Sequence, residues 1–289
     1  MSRSLPPDRT GQVVGGRYEI LSLLGEGGQS SVYRARDRRE GDEVALKILK
    51  PGTDKESTER MFREARALAS LHGTATVRVL DQEWTDDGAM SLVTELLIGE
   101  PLDDALEKIE ASGKRVELDY IARLLEPVVE TLHAAHAIGI VHRDLKPANI
   151  FVLSEDRGVR LIDFGFAKFQ RLRGLTAHDF IAGSPSYIAP ETWMGRQDAI
   201  DHRIDVYGFG AVIFRCFAGA PPFVSKDIAV LLREASTAPR PSLFAKRPDL
   251  GEMIDHWVDL ALAIDPDARF HAIRALWRAF LSAARSGPG

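Results

Sequence analysis

The chain has 289 residues, of which 45% are apolar, with 37 Lys+Arg against 42 Asp+Glu, a net charge of −5 and one cysteine, Cys216. That length and apolar content suit about two folded units with a true core. The lone cysteine excludes an internal disulfide and a Cys-rich metal site, the acidic balance without a long basic run argues against nucleic acid as a partner, and the most apolar window, Phe209 to Phe217, is broken by Arg215, so no membrane span is expected.

The polar start MSRSLPPDRTGQ has no signal-like apolar stretch, so residues 1–12 are read as a disordered leader and 286–289 as a similar tail, in a reducing, cytoplasmic setting. From Tyr18 to Val93 short β-rich runs dominate: YEILSLLG, SVYRARD, EVALKIL, VRVLDQEW and MSLVTELL, separated by the turn clusters EGGQS, REGDE and TDDGA. One helix interrupts them, with Ser57 as its cap and Phe62, Ala65, Leu68, Ala69 and Leu71 at helical spacing before Gly73. Past Pro101 the period becomes helical, at 118–136, 204–218, 226–235, 253–264 and 271–284. These patterns predict an α+β chain: a β-rich unit over 13–94, a connection over 95–102, and a mainly helical unit over 103–285, with a ligand cleft between two lobes.

Three groups of residues carry chemistry. Gly25, Gly27 and Gly28 lie between two strand runs, where glycines serve either a plain hairpin or a close approach of backbone amides to phosphate; no GxxxxGK[ST] occurs, which excludes a P-loop. Lys47 sits on the apolar strand VALKIL and either snorkels to solvent or meets a counter-charge on the helix, where Glu56, Glu59 and Glu64 are all candidates. The third group is His142, Arg143, Asp144, Lys146 and Asn149 in IVHRDLKPANIF, followed by Asp163, Phe164 and Gly165 in VRLIDFGFAK. Any one of these polar residues suits a turn closed by Pro147; together they are not a chance combination.

These motifs, in this order, resemble the eukaryotic-type (Hanks-type) Ser/Thr protein kinase family over about residues 17–283. GEGGQSSVY is similar to the nucleotide loop, VALK to the strand lysine, Glu64 to the helix glutamate, HRDLKPAN to the catalytic loop, DFG to the metal site and IAPE at 188–191 to the end of the activation segment. DVYGFG at 205–210 and Arg269 match the anchors of the helical lobe. The compact GGRYEI start, lean insertions and 28 Arg to 9 Lys favour a bacterial member.

The resemblance implies a bilobal fold with a small β-rich N-lobe, one key helix and a larger helical C-lobe. It also implies transfer of the γ-phosphate of Mg-ATP to protein Ser/Thr hydroxyls. Under it Lys47, oriented by Glu64, binds the α/β-phosphates; Asn149 and Asp163 hold Mg²⁺; Asp144 takes or orients the acceptor proton; Lys146 steadies the γ-phosphate. Gly25, Glu26, Gly27, Gly28 and Ser30 form the loop over the phosphates. Val32, Ala45 and Phe151 enclose adenine, whose edge meets the backbone from Glu95 to Leu97. Ser30 replaces a frequent third glycine, and Pro101 stands where relatives often place an acidic ribose contact, with Glu100 adjacent. The lysine in DLKPAN and Ser184 in GSPSY point to Ser/Thr acceptors. Thr176 is the expected phosphorylation site of the activation segment, with Arg143, Lys168 and Arg60 as its pocket. The alternatives are a pseudokinase scaffold, which usually loses one of the Lys47, Asp144 or Asp163 equivalents, and a small-molecule phosphotransferase, which lacks a GSPSYIAPE segment.

Overall fold

The computed structural model describes residues 9–50, 52–164, 185–194 and 200–286. The chain divides into two compact units, 1–72 with 76–98 and 73–75 with 99–289. The break at 98/99 falls within the span assigned above to the connection.

The first unit is a six-stranded antiparallel sheet, in the order β1 (Val13–Val14), β2 (Tyr18–Glu26), β3 (Ser30–Asp37), β4 (Glu43–Leu49), β6 (Met90–Glu95), β5 (Val79–Trp84). Alternation decides its two faces. Tyr33, Ala35, Val44, Leu46, Ile48 and Val93 join Val14, Tyr18 and Ile20 in one buried cluster. The register pairs Val32 with Lys47 and Arg34 with Ala45, which places Val32, Ala45 and Lys47 together on the opposite face.

Helix α1 (Lys55–Ser70) packs on β5 and β6. Its cap is Asp54, whose carboxylate accepts from the Ser57 amide at 2.8 Å; the Ser57 hydroxyl lies inside the first turn and donates to the same oxygen at 2.6 Å. The expected Ser57 cap is therefore displaced by three residues, because Asp54 supplies a charged acceptor at the point where the chain leaves its extended conformation. Residues 9–12, within the span expected as a leader, are bonded to the first unit. Arg9 is buried, with its guanidinium 2.7 Å from Asp87, and Gln12 accepts from the Ile20 amide ahead of β1.

The second unit holds α2 (Leu102–Ala111), α3 (Leu118–Ala137), α4 (Pro190–Trp193), α5 (Arg203–Ala218), α6 (Ile228–Thr237), α7 (Ile254–Ala261) and α8 (Ile273–Arg285). It also has a small sheet ordered β7 (Gly99–Pro101), β8 (Ile150–Leu153), β9 (Val159–Leu161). The sequence pattern omits α2 and this sheet, whose strands are too short to show a period. α5 is buried from Ile204 to Phe217, and its apolar residues run all round the helix, as a central helix requires. It packs against α7, α8 and the 185–187 turn. Phe280 gathers Trp257, Trp277 and Phe217 at ring distances of 5.1, 5.5 and 5.6 Å.

Arg269 crosses this core as an ion. Its two terminal nitrogens lie 2.6 and 2.7 Å from the Glu191 carboxylate, both side chains are essentially buried (0% and 1% exposed), and Ala263, Ile264 and Arg203 carbonyls accept its other protons. A bidentate buried pair so fully bonded holds α4 to the loop before α8. Arg269→Ala strands the Glu191 charge and is expected to destabilise the chain by about 3–5 kcal/mol in urea unfolding, whereas replacing both partners, Arg269→Met with Glu191→Leu, costs less than that single change.

Candidate active site

In the first unit, Lys47 Nζ lies 2.7 Å from Glu64 Oε1, with the two side chains 22% and 13% exposed. The counter-charge left open by the sequence is thus Glu64; Glu56 instead lies 3.4 Å from Arg60, and Glu59 is 4.0 Å from Lys55. A cation half out of solvent on a strand needs this partner, so the snorkelling alternative fails for Lys47.

The hairpin joining β2 to β3 closes with Gly27 N–H donating to Ser30 O at 2.8 Å. Neither Gly25 nor Gly28 has a positive φ, and a Cβ on either would meet nothing within 4 Å. A turn does not explain those glycines.

Glu95 ends β6, donating its backbone N–H to Arg78 O at 3.0 Å and accepting from the Arg78 amide through its side chain at 2.8 Å, and Leu97 follows half-buried. Phe151 lies on β8, in the second unit, opposite Pro101 and Arg160. Glu100 is bonded to Lys108 on α2.

The polar constellation of the second unit is built on Asp205, at the start of α5 and 1% exposed. Its Oδ2 accepts from the His142 amide and from His136 Nε2, each at 2.8 Å, and its Oδ1 accepts from the Arg143 amide at 2.8 Å. Burial alone would raise the Asp205 pKa, but the His136 hydrogen bond, the nearby histidines and the Arg143 amide outweigh it and hold the carboxyl below its ordinary value. Those two amides fix a loop that Arg143 passes with φ 68°, a conformation costly for a side-chain-bearing residue and kept only where the surroundings enforce it. A Cβ at Gly208, one turn along α5, would come 3.2 Å from that of Leu145, so glycine lets the helix lie directly under the loop.

Beyond Arg143 the loop gathers its functional groups. Asn149 Nδ2 donates to Asp144 O at 2.7 Å and to Asp144 Oδ2 at 2.9 Å, and Lys146 Nζ lies 3.3 Å from the same Oδ2. The turn at Pro147–Asn149 hands the chain to β8, and Ile162 N–H donates to Asn149 O at 3.0 Å, which brings Asp163 (φ 55°) beside Asn149 in the chain's path. His142 Nδ1 accepts from the Asp144 amide at 3.3 Å, so the proton sits on Nε2, 3.2 Å from Ile162 O; its ring packs on Phe164 at 4.5 Å.

Asp144, Lys146, Asn149 and Asp163 are therefore brought together, while Lys47 and Glu64 pair in the other unit. Arg60, 6% exposed, donates to Ser57 Oγ at 2.5 Å, lies beside Glu56 and Asp54, and reaches the Gln29 side-chain oxygen at 3.4 Å. Gly165, Lys168, Thr176 and Ser184 lie outside the described residues. His136 was not singled out from the sequence, because nothing at that position signals a partner 69 residues away.

The chain belongs to the protein kinase family: the model for the protein kinase domain matches residues 18–281. It is similar to the DNA damage-responsive serine/threonine-protein kinase RqkA of Deinococcus radiodurans, at 40% identity over 78% of this chain and 33% of that protein. It is also similar to serine/threonine-protein kinase PknA of Mycobacterium tuberculosis, at 33% identity over 91% of this chain and 60% of that one. Among solved structures, the PknI kinase domain of Mycobacterium tuberculosis superposes with a TM-score of 0.73 at 27% identity, over 95% of this chain and 99% of that one. The chain thus spans between a third and three fifths of these two curated relatives. No described helix is long and apolar enough to cross a membrane.

His142 is buried, and desolvation pushes its pKa below the ordinary imidazole value, only partly offset by Asp205 and Asp144. The folded chain keeps this ring neutral while the unfolded chain binds a proton below about pH 6.5, so its contribution to stability is lost as pH falls through that value. Urea unfolding at pH 7.5 and 5.5 is expected to show a larger drop for the unaltered chain than for His142→Phe, with the two drops differing by up to about 1.4 kcal/mol per pH unit.

Proposed function

We propose that this chain is an ATP-dependent Ser/Thr protein kinase that uses Mg²⁺ and phosphorylates protein hydroxyls, itself included. The observation that carries the reading is the Asp144–Lys146–Asn149 cluster held on Asp205, in a chain whose Lys47 is paired with Glu64. Phosphoryl transfer demands little covalent chemistry from protein; it demands an acceptor held in line and a triphosphate whose charge is neutralised.

Lys47, held by Glu64, is positioned to bind the α/β-phosphates, and the hairpin amides from Gly25 to Ser30 to cover them. By the family resemblance, Val32, Ala45 and Phe151 are the apolar contacts proposed for adenine and the backbone from Glu95 to Leu97 its polar edge; Val32 and Ala45 share the Lys47 face of the first unit's sheet. Asp144 orients the acceptor hydroxyl and takes its proton, and Lys146, 3.3 Å from that carboxylate, neutralises charge on the γ-phosphoryl group as it moves.

The donor set fits Mg²⁺. Among the described residues no cluster of three or more His, Cys, Asp or Glu is placed to hold a metal, while Asn149 spends its amide protons on Asp144 and keeps its carbonyl oxygen for a cation near Asp163. One amide oxygen and one carboxylate, completed by phosphate oxygens and water, suit this ion. Bound there, Mg²⁺ would neutralise the phosphate oxygens. The acceptor class rests on the lysine of DLKPAN and Ser184, and on the Ser/Thr specificity in the names of the relatives; Thr176 is the proposed autophosphorylation site, with Arg143 and Lys168 as partners for its phosphate.

Incubation with Mg-ATP and either protein or aminoglycoside acceptors tests the reading: phosphate is expected on protein Ser/Thr and on the chain itself, and transfer to the aminoglycoside alone would overturn it. Asp144→Asn should lower turnover by about 10²–10⁴ with little change in ATP affinity. Lys47→Met should abolish transfer while the protein still folds, as its circular dichroism would show.

A further inference from the structure

The glycine hairpin is tied to its surroundings by side chains that have no role in the scheme above. Lys50, one residue beyond β4, donates its backbone N–H to Gln29 O at 2.8 Å, and its ammonium lies 2.5 Å from Glu26 Oε1. The Gln29 side-chain oxygen accepts from an Arg60 terminal nitrogen at 3.4 Å. Arg60 and Glu64 are one turn apart on α1, and Lys47 and Lys50 are three residues apart at the end of β4.

Hairpin, strand and helix are thereby joined pairwise through three cations: Lys50 links hairpin to strand, Arg60 links hairpin to helix, and Lys47 links strand to helix through Glu64. The hairpin needs such ties. Gly25 and Gly28 contribute no packing, and glycine backbone loses more entropy on being fixed than any other. A loop of this kind takes its position from what grips its flanks.

We propose that Lys50 is a positioning residue for the nucleotide: its pair with Glu26 holds the hairpin amides in a fixed place relative to Lys47, and the Gln29–Arg60 bond makes the hairpin follow α1. The ligand's identity in this inference rests on the kinase reading. Lys50 acts through Glu26, so its effect is on nucleotide affinity and depends on the sign of both charges. The pair is partly exposed, with side chains 32% and 37% accessible, which keeps the effect modest and sensitive to salt.

Charge reversal in the full chain tests this. Lys50→Glu and Glu26→Lys are each expected to raise the KM for ATP about fivefold, with the change falling on KM and not on kcat, and the double reversal to return KM to within about twofold of the parent. A lysine that touched phosphate directly would give no such rescue. Hydrogen exchange of amides 25–30 in the nucleotide-free chain should accelerate in each single variant and recover in the double. Unchanged KM and unchanged exchange in the single variants, or failure of the double reversal to recover either, would overturn the proposal. If the unaltered chain does not bind Mg-ATP, the kinase reading and the nucleotide part of this inference both fall, while the exchange measurement still decides the tether.

Discussion

One buried carboxylate organises the second unit. Asp205 sits at the start of a helix that is surrounded by protein, and it remains charged there because two backbone amides and a histidine surround it with donors. Those amides belong to His142 and Arg143, so the energy that stabilises the buried charge is the same energy that holds the following loop in a strained conformation. Asp144, Lys146 and Asn149 inherit their positions from that anchor. The loop's other support is the His142 ring, whose two nitrogens bond the Asp144 amide and the Ile162 carbonyl, and so connect the loop to the segment that carries Asp163.

The first unit solves a different problem with a similar device. A lysine on a half-buried strand must keep its charge, and Glu64 on the helix packed beside it supplies the counter-charge at 2.7 Å. Because the two groups come from different elements, the helix must dock in one register on the sheet for the pair to form. Its core-facing residues, Met61, Ala65 and Leu68, are buried by that docking, and apolar packing thereby sets the geometry of a polar pair.

The second unit holds the groups proposed to meet the acceptor and the metal, and the first holds the lysine proposed for the phosphates. The Arg269–Glu191 pair carries no reacting group. It fastens the end of the segment running from the Asp163 region to the central helix, which makes it a structural counterpart of the Asp205 anchor.

Much of this was legible in the amino-acid sequence, and for identifiable reasons. Strands β2 to β6 and helices α1, α3 and α5 to α8 announce themselves by period, and the catalytic residues lie within single short motifs, so their joint presence needs no knowledge of the fold. Signals fail where the informative partner is distant or the element is short. The strands of the β7–β8–β9 sheet have three or four residues and show no alternation to read. Asp54 beat Ser57 as the cap because the choice depends on where the chain turns. Among Glu56, Glu59 and Glu64, only the docking of α1 selects the partner of Lys47. Likewise the pairings of Arg9 with Asp87, His136 with Asp205 and Lys50 with Glu26 have no local signal in the sequence. The sequence by itself determined which chemical groups this protein has and the order in which they occur, because those are local properties of the chain. Which of them meet was decided by tertiary structure alone, since a contact across dozens of residues arises only when apolar burial brings the elements together.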